Sequence, residues 1–314
     1  MNNIALVDLK EALSGGKISK HEYIERMHQH HSQMFAYASF IKDSEITAIE
    51  LANGRVTMTT RAGVKLACDT QDKRTAPVEA LNFGNYEAQF VETVCSLIPD
   101  TGVVLDIGAN IGWYSLHIAK RYPNVDIHSF EPIPSTYAKL TENVVLNALS
   151  QIKTHDYGLS NVDEIQTFYF EPACSGRASG KNLGDVTDIQ KLECRVRRLD
   201  DIREFSHKEV KFIKCDCEGA ELFVFQGGGG LLKASKPIVF CEMLRKWSAK
   251  FGYHPNDIIN YMKQFSYSCF ALRKDQLELV NFVDECTVDT NFFFFDIEKH
   301  RDRLKRASLI AKIN

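Results

Sequence analysis

The spacing of apolar positions changes character several times along this chain, and each change predicts a different kind of element. Up to about residue 45, Tyr23, Ile24, Met27 and Met34 recur at helical intervals behind Ser19 and Glu22, which stand three apart as a capping box would. From about 45 to 70 the pattern alternates: ITAIEL, the turn signal Asn53-Gly54, RVTMTT and, after Ala62-Gly63, VKLACD, a series that predicts a small antiparallel meander. Residues 76 to 98 return to helical spacing, with Tyr86 and Glu87 leading into Phe90, Val91, Val94 and Leu97.

Beyond Thr101 short apolar runs alternate with amphipathic stretches: VVLDIGA, WYSLHIAKRY, DIHSFEP, TYAKLTENVVLNAL and IKTHDYG. Buried strands separated by helices imply a parallel sheet covered on both faces. The pattern resumes with VKFIKCD, a helix from about Glu221, PIVFCEM, a helix around 256 to 264, YSCFAL and NFFFFDI, which makes seven strands in a doubly wound α/β sheet. The interruption, 161 to 197, holds two alternating stretches, QTFYF and KLECRVR, around the polar loop SGRASGKNLGD. It reads as an inserted β-hairpin with Leu192, Cys194 and Val196 on one face. Loops carried by a rigid scaffold tend to select substrates, so this insertion is the candidate substrate side. The chain thus divides into a helical and β-meander appendage at 1–75, a main domain at 76–300 and a basic tail at 301–314.

Composition narrows the partners. The 314 residues carry 38 Lys and Arg against 41 Asp and Glu, a net charge of -3, which argues against a duplex nucleic acid. No run of about 18 apolar residues occurs, and MNNIALVDLKEAL has no basic stretch ahead of an apolar one, so a soluble, cytoplasmic protein is expected. The nine cysteines are read as reduced thiols, and Cys215 and Cys217, one residue apart, do not form a C-x-x-C. His28, His30 and His31 have no acid or thiol at ligand spacing and are read as a solvated helix face.

The chemistry gathers at the strand ends. Asp106, Gly108, Ala109, Asn110 and Gly112 close the first strand and lead into a helix, the arrangement that brings a ligand against backbone in the crevice of a doubly wound sheet. Asn110 and Trp113 stand where G-x-G-x-x-G would have its later glycines, which disfavours a dinucleotide, and the acid Asp106 suits a cationic ligand such as a sulfonium amino acid. Glu131 lies 19 residues after Gly112, near the offset at which an acid reaches ribose hydroxyls, and Asp156 ends the third strand where an acid could hold an adenine amino group. Asp216, Glu218, Glu221 and Glu242 cluster at or beyond the ends of the fourth and fifth strands, with Glu221 equally readable as a first-turn helix acid. Lys214 alternates with Asp216 and could share its face. The run Gly227 to Gly230 lacks a following Gly-Lys-Ser/Thr and reads as helix termination.

VVLDIGANIGWYS, FEP at 130–132, LDD at 199–201 and IKCDCEGAE followed by a helix and PIVFCE together resemble the FkbM family of S-adenosylmethionine-dependent methyltransferases, over about 80 to 297. The resemblance implies a Rossmann-like class I methyltransferase sheet of seven strands with the last antiparallel, and O-methylation of a sugar, glycan precursor or secondary metabolite. It places Asp106, Gly108, Asn110, Gly112 and Glu131 at the cofactor, and Asp216 and Glu218 at the reacting centre. Cys217 departs from the aliphatic residue common at its position. An alcohol acceptor needs a base or a metal, so Asp216 is the first candidate base, with Glu218 and Glu242 as alternatives. The same three acids could instead ligate a divalent ion, a reading left open but not favoured. The expected acceptor is a small molecule or carbohydrate, homo-oligomerisation is left open, and the rival function is a non-catalytic cofactor-binding or partner-binding module.

Overall fold

The computed structural model describes residues 6–69, 71–183 and 189–306. Helices α1 (Leu6–Ser14) and α2 (Lys20–Phe40) pack as a hairpin. Ser19 Oγ accepts the Glu22 N–H at 3.1 Å, but the Glu22 carboxylate turns forward to Arg26 at 2.6 Å, so half of the expected capping box forms. Strands β1 (Ile46–Ala52), β2 (Arg55–Thr60) and β3 (Lys65–Ala67) build the expected meander. Helices α3 (Ala76–Phe83) and α4 (Ala88–Leu97) follow, separated at Gly84, so the helical segment 76–98 is broken into two.

The main sheet contains β4 (Gly102–Ile107), followed by α5 (Trp113–Arg121), β5 (Val125–Phe130), α6 (Pro134–Leu146) and β6 (Ile152–His155). The insertion supplies β8 (Glu164–Phe170) and β9 (Gln190–Arg197), which with β7 (Gly158–Leu159) just ahead of it form a separate three-stranded sheet in the order β7-β9-β8. The main sheet then resumes with β10 (Val210–Cys215), α7 (Glu221–Gly227), α8 (Gly229–Ser235), β11 (Ile238–Glu242), α9 (Arg245–Ser248), α10 (Pro255–Lys263), β12 (Ser268–Arg273), β13 (Gln276–Val280), β14 (Asn291–Phe295) and α11 (Ile297–Arg306).

The order is β13-β12-β14-β11-β10-β4-β5-β6, with β14 antiparallel to both of its neighbours. All seven expected strands form, and the count is corrected to eight by β13, which extends β12 as a hairpin through Lys274 and Asp275. Its segment buries only Leu277 and Val280, too sparse an apolar pattern to announce a strand. By contrast Phe292 to Phe295 are all buried, alternately in the core layers on the two faces of the sheet, which is why the sequence reads as one unbroken apolar run.

The meander shares a core with the main sheet: Ile46, Met58, Val64 and Leu66 pack in the same cluster as Leu116 and Ile118. Asn143 on α6 and Asn147 at its C-cap, one turn apart, accept the Ala67 and Lys65 N–H groups, each at 2.9 Å. Asp200 accepts the N–H groups of Gly230 and Leu231 at 2.8 and 2.9 Å, so the glycine run joins α7 to a side-chain-capped α8. Leu304 in α11 is fully buried, which docks the start of the basic tail; residues 307–314 lie outside the described residues. No described helix is long and apolar enough to cross a membrane.

Candidate active site

Two loops at the carboxyl ends of adjacent strands face each other where the order of strands reverses, between β4 and β10. Gly108 makes their approach possible. A Cβ there would sit 1.8 Å from the Asp216 carbonyl oxygen, and its φ of +71° is itself costly for an L side chain. The two loops open into a cavity of about 630 Å³, within the usual range for small-molecule sites.

On the β4 side, Gly108, Asn110 and Glu131 line this cavity. The Glu131 carboxylate accepts the Asn110 N–H at 3.0 Å and the Ile133 N–H at 2.9 Å. Burial outweighs those two bonds and pushes its acid up to about 7. Gly112 caps α5 beneath the loop and does not line the cavity; a Cβ on it would meet Leu140 at 2.7 Å, so its smallness serves the packing of α5 on α6.

Besides Gly112, two further expected cofactor contacts, Asp106 and Asp156, are not among the residues that line the cavity. Asp106 is fully buried below the loop, where Oδ2 accepts from the Ser115 N–H and hydroxyl at 3.2 and 2.5 Å and Oδ1 lies 3.5 Å from Lys214 Nζ. Asp156 is exposed, because the chain turns away after β6, and the next segment brings Gly158, Leu159, Ser160 and Asn161 to the wall instead.

On the β10 side, Asp216, Glu218 and Glu242 line the cavity, and one carboxylate oxygen from each lies within 4.8 Å of the others. Lys214, on the same face as expected, reaches Asp216 at 3.4 Å and donates to the Gly108 carbonyl at 2.7 Å. Burial opposes its charge, but Asp216 and Asp106 outweigh it and hold the ammonium above its usual range. Burial, then Asp216 and Glu218, push Glu242 up to about 10. Burial and Asp216 likewise raise Glu218, whose Oε2 is buried without a hydrogen-bond partner. The donor set of hard oxygens could hold one divalent ion, although Lys214 already balances Asp216. Glu221 braces the acidic loop from within, its Oε1 accepting the Cys217 and Gly219 N–H groups at 2.9 and 3.0 Å.

Sequence reasoning missed Glu87. It joins the cavity wall from the turn before α4, with a φ of +52°, and accepts the Tyr114 hydroxyl at 2.6 Å. Burial raises its acid as well. Only its place beside Tyr86 ahead of a helix marked it, and nothing local says that this turn faces the acidic loop across the sheet. The insertion adds Gln166, Thr167, Phe168 and Tyr169 to the wall opposite the sheet edge. Cys217 also lines the cavity, and all nine cysteines are free.

The family profile described as Methyltransferase FkbM domain matches residues 106–269. Among curated proteins, the chain is 46% identical over 153 residues to 31-O-demethyl-FK506 methyltransferase FkbM of Streptomyces tacrolimicus, covering 40% of this chain and 58% of that protein. It is 31% identical over 147 residues to Methyltransferase 1 of Beauveria bassiana, covering 41% and 59%. The matches thus span about three fifths of those relatives' own length. A solved structure of Methyltransferase FkbM from Methylobacillus flagellatus is similar with a TM-score of 0.43 at 18% identity, over 73% of this chain and 56% of that one.

Proposed function

Since the chain belongs to the methyltransferase FkbM family, we propose that it is an S-adenosylmethionine-dependent O-methyltransferase acting on a hydroxyl of a small molecule, sugar or glycan precursor. The observation that carries this reading is the shared cavity, in which the Glu131 carboxylate and the Asp216, Glu218 and Glu242 cluster face one space from two adjoining loops. An oxygen acceptor also accords with the name of the Streptomyces tacrolimicus relative.

The residues present fit the cofactor. Glu131 offers a buried carboxylate beside a glycine loop, and Gly108 and Asn110 share the cavity wall with it. Glu131, Gly108 and Asn110 would hold the nucleoside part. When bound, adenosylmethionine supplies an electrophilic methyl group. The chain's own contribution is to align an acceptor hydroxyl and to take its proton. Asp216 is the proposed base, with Lys214 fixing its orientation from 3.4 Å. Glu218 and Glu242, their acids pushed up, would serve as hydrogen-bond donors or orienting partners to the acceptor.

The test pairs binding with turnover. Asp216→Asn combined with Glu218→Gln is expected to lower S-adenosylhomocysteine release on hydroxylated acceptors by about 10²- to 10⁴-fold, the usual weight of acid–base catalysis. Calorimetric affinity for adenosylmethionine should stay within about threefold of wild type, since a threefold change is under 1 kcal/mol. Undiminished turnover in the double variant would remove the assigned base. Cofactor binding with no turnover on any acceptor by wild type would favour the non-catalytic binding module.

A further inference from the structure

The N-terminal unit and the insertion meet at the rim of the cavity. Arg74, Thr75 and Ala76, which lead from the meander into α3, line one side, and Ser175, Gly176 and Ala178, from the loop after β8, line the other. Asp72 joins them. Only 2% exposed, its carboxylate accepts the Arg74 N–H at 2.9 Å with one oxygen and the Ser175 N–H at 3.0 Å with the other. Beside it the Lys73 N–H donates to the Ala173 carbonyl at 3.1 Å.

The same loop touches both chemical loops. Ser175 Oγ lies 3.5 Å from Asn110 Oδ1. Ser179, fully buried, donates its hydroxyl to the Glu218 carbonyl at 2.8 Å. A stretch running from 173 to 179 is therefore tied to the N-terminal unit at one end and to the acidic loop at the other, with the glycine loop between.

We propose that Asp72 is a positioning residue that holds the 173–180 loop over the glycine and acidic loops, making the N-terminal unit a working wall of the cofactor and acceptor cavity. The anchoring stands on geometry alone, whereas its effect on cofactor affinity rests on the methyltransferase reading above. The loop has one short 3₁₀ turn and little regular pairing, so its order depends on a few fixed points. A charge-assisted bond into a buried backbone N–H is the strongest such point, and its loss leaves that donor unpaired. A carboxylate is required because two N–H groups converge on it. Asparagine, nearly equal in volume, would turn an amide N–H toward one of them.

Hydrogen exchange on the full-length chain, free of ligand, decides the anchoring. Asp72→Ala and Asp72→Asn are expected to speed exchange across 171–180 by about tenfold while peptides of β4 and β10 keep wild-type protection, and Lys73→Ala, which spares the backbone bonds, should change neither. Calorimetry with adenosylmethionine is expected to show Kd raised about tenfold in both Asp72 variants and unchanged in Lys73→Ala. Wild-type exchange across 171–180 in both Asp72 variants would overturn the proposal, as would faster exchange there with an unaltered Kd. If wild type itself fails to bind adenosylmethionine, the methyltransferase reading falls and the exchange result alone decides whether Asp72 anchors the loop.

Discussion

Two aspartates flank Lys214, and their surroundings divide their labour. Asp106 is sealed beneath the glycine loop, bonded to Ser115 and 3.5 Å from the ammonium, whereas Asp216 meets the same ammonium from the cavity wall at 3.4 Å. Removing Asp106 leaves the buried Ser115 N–H without its acceptor and takes one of two carboxylates from the Lys214 ammonium, which keeps Asp216, at a cost of about 3 kcal/mol. Asp106→Ala is therefore expected to lower stability by that order in urea melts and to weaken cofactor binding chiefly by loosening the glycine loop. Glu131→Ala should do the reverse. It removes an acid whose burial is itself unfavourable, which offsets part of the about 1–3 kcal/mol lost with the Asn110 and Ile133 N–H bonds, so the melt should shift less than in Asp106→Ala while adenosylmethionine affinity falls at least tenfold. Equal melting curves for the two variants would contradict this division.

At the scale of elements, the glycine loop and the acidic loop work as one piece because nothing but hydrogen fits between Gly108 and the Asp216 carbonyl. Gly108→Ala must separate the ends of β4 and β10, at an expected cost of about 3 kcal/mol or more. Gly63→Ala serves as its comparison: φ there is also positive, at +75°, but no atom lies within 4 Å of the added methyl, so only the conformational cost of about 1 kcal/mol is expected. Denaturant melts of the two variants separate the steric part from the backbone part. The same contrast explains how far the sequence could be read. Strands buried on both faces, such as Phe292 to Phe295, and the meander around Asn53-Gly54 declare themselves locally, through apolar runs and turn residues. The acids at or just past the ends of β5, β10 and β11 were legible because their positions at strand ends follow from those strands. What stayed hidden depends on contacts between distant segments: β13 on its pairing with β12, Glu87 on a bond from Tyr114, Asp72 on a loop 103 residues away. Asp106 and Asp156 were assigned to the cavity by spacing along the chain, which cannot tell a carboxylate under a loop from one above it.

Across the whole molecule, buried ionisable groups make opposite demands on pH. Burial pulls His155 and His300 down to about 4 from an ordinary 6.5, so both stay neutral in the native state and bind protons more readily when unfolded. Their contribution is present at neutral pH and is lost as pH falls from about 6.5 toward 4. Burial pushes Glu131 and Glu221 up to about 7, and Glu242 up to about 10, from an ordinary 4.5. These acids hold protons in the native state that the unfolded chain releases, so their contribution is present below 4.5 and is lost as pH climbs through 7 and, for Glu242, toward 10. The two sets oppose each other between about 4.5 and 6.5, and above 7 the cavity acid Glu242 still draws stability down. The ligand-free protein should accordingly melt at falling temperatures from pH 5 to 6.5, where three acids outweigh two histidines by about one proton, and again from pH 7 to 10. Glu242→Gln, which keeps the shape and removes the titration, should flatten the decline on both sides of pH 7. Thermal melts of both proteins across pH 5 to 10 check this. An equally steep decline in the variant would place the alkaline instability elsewhere than in the acidic wall, and would weaken the case that Glu242 keeps its proton to face an acceptor at neutral pH.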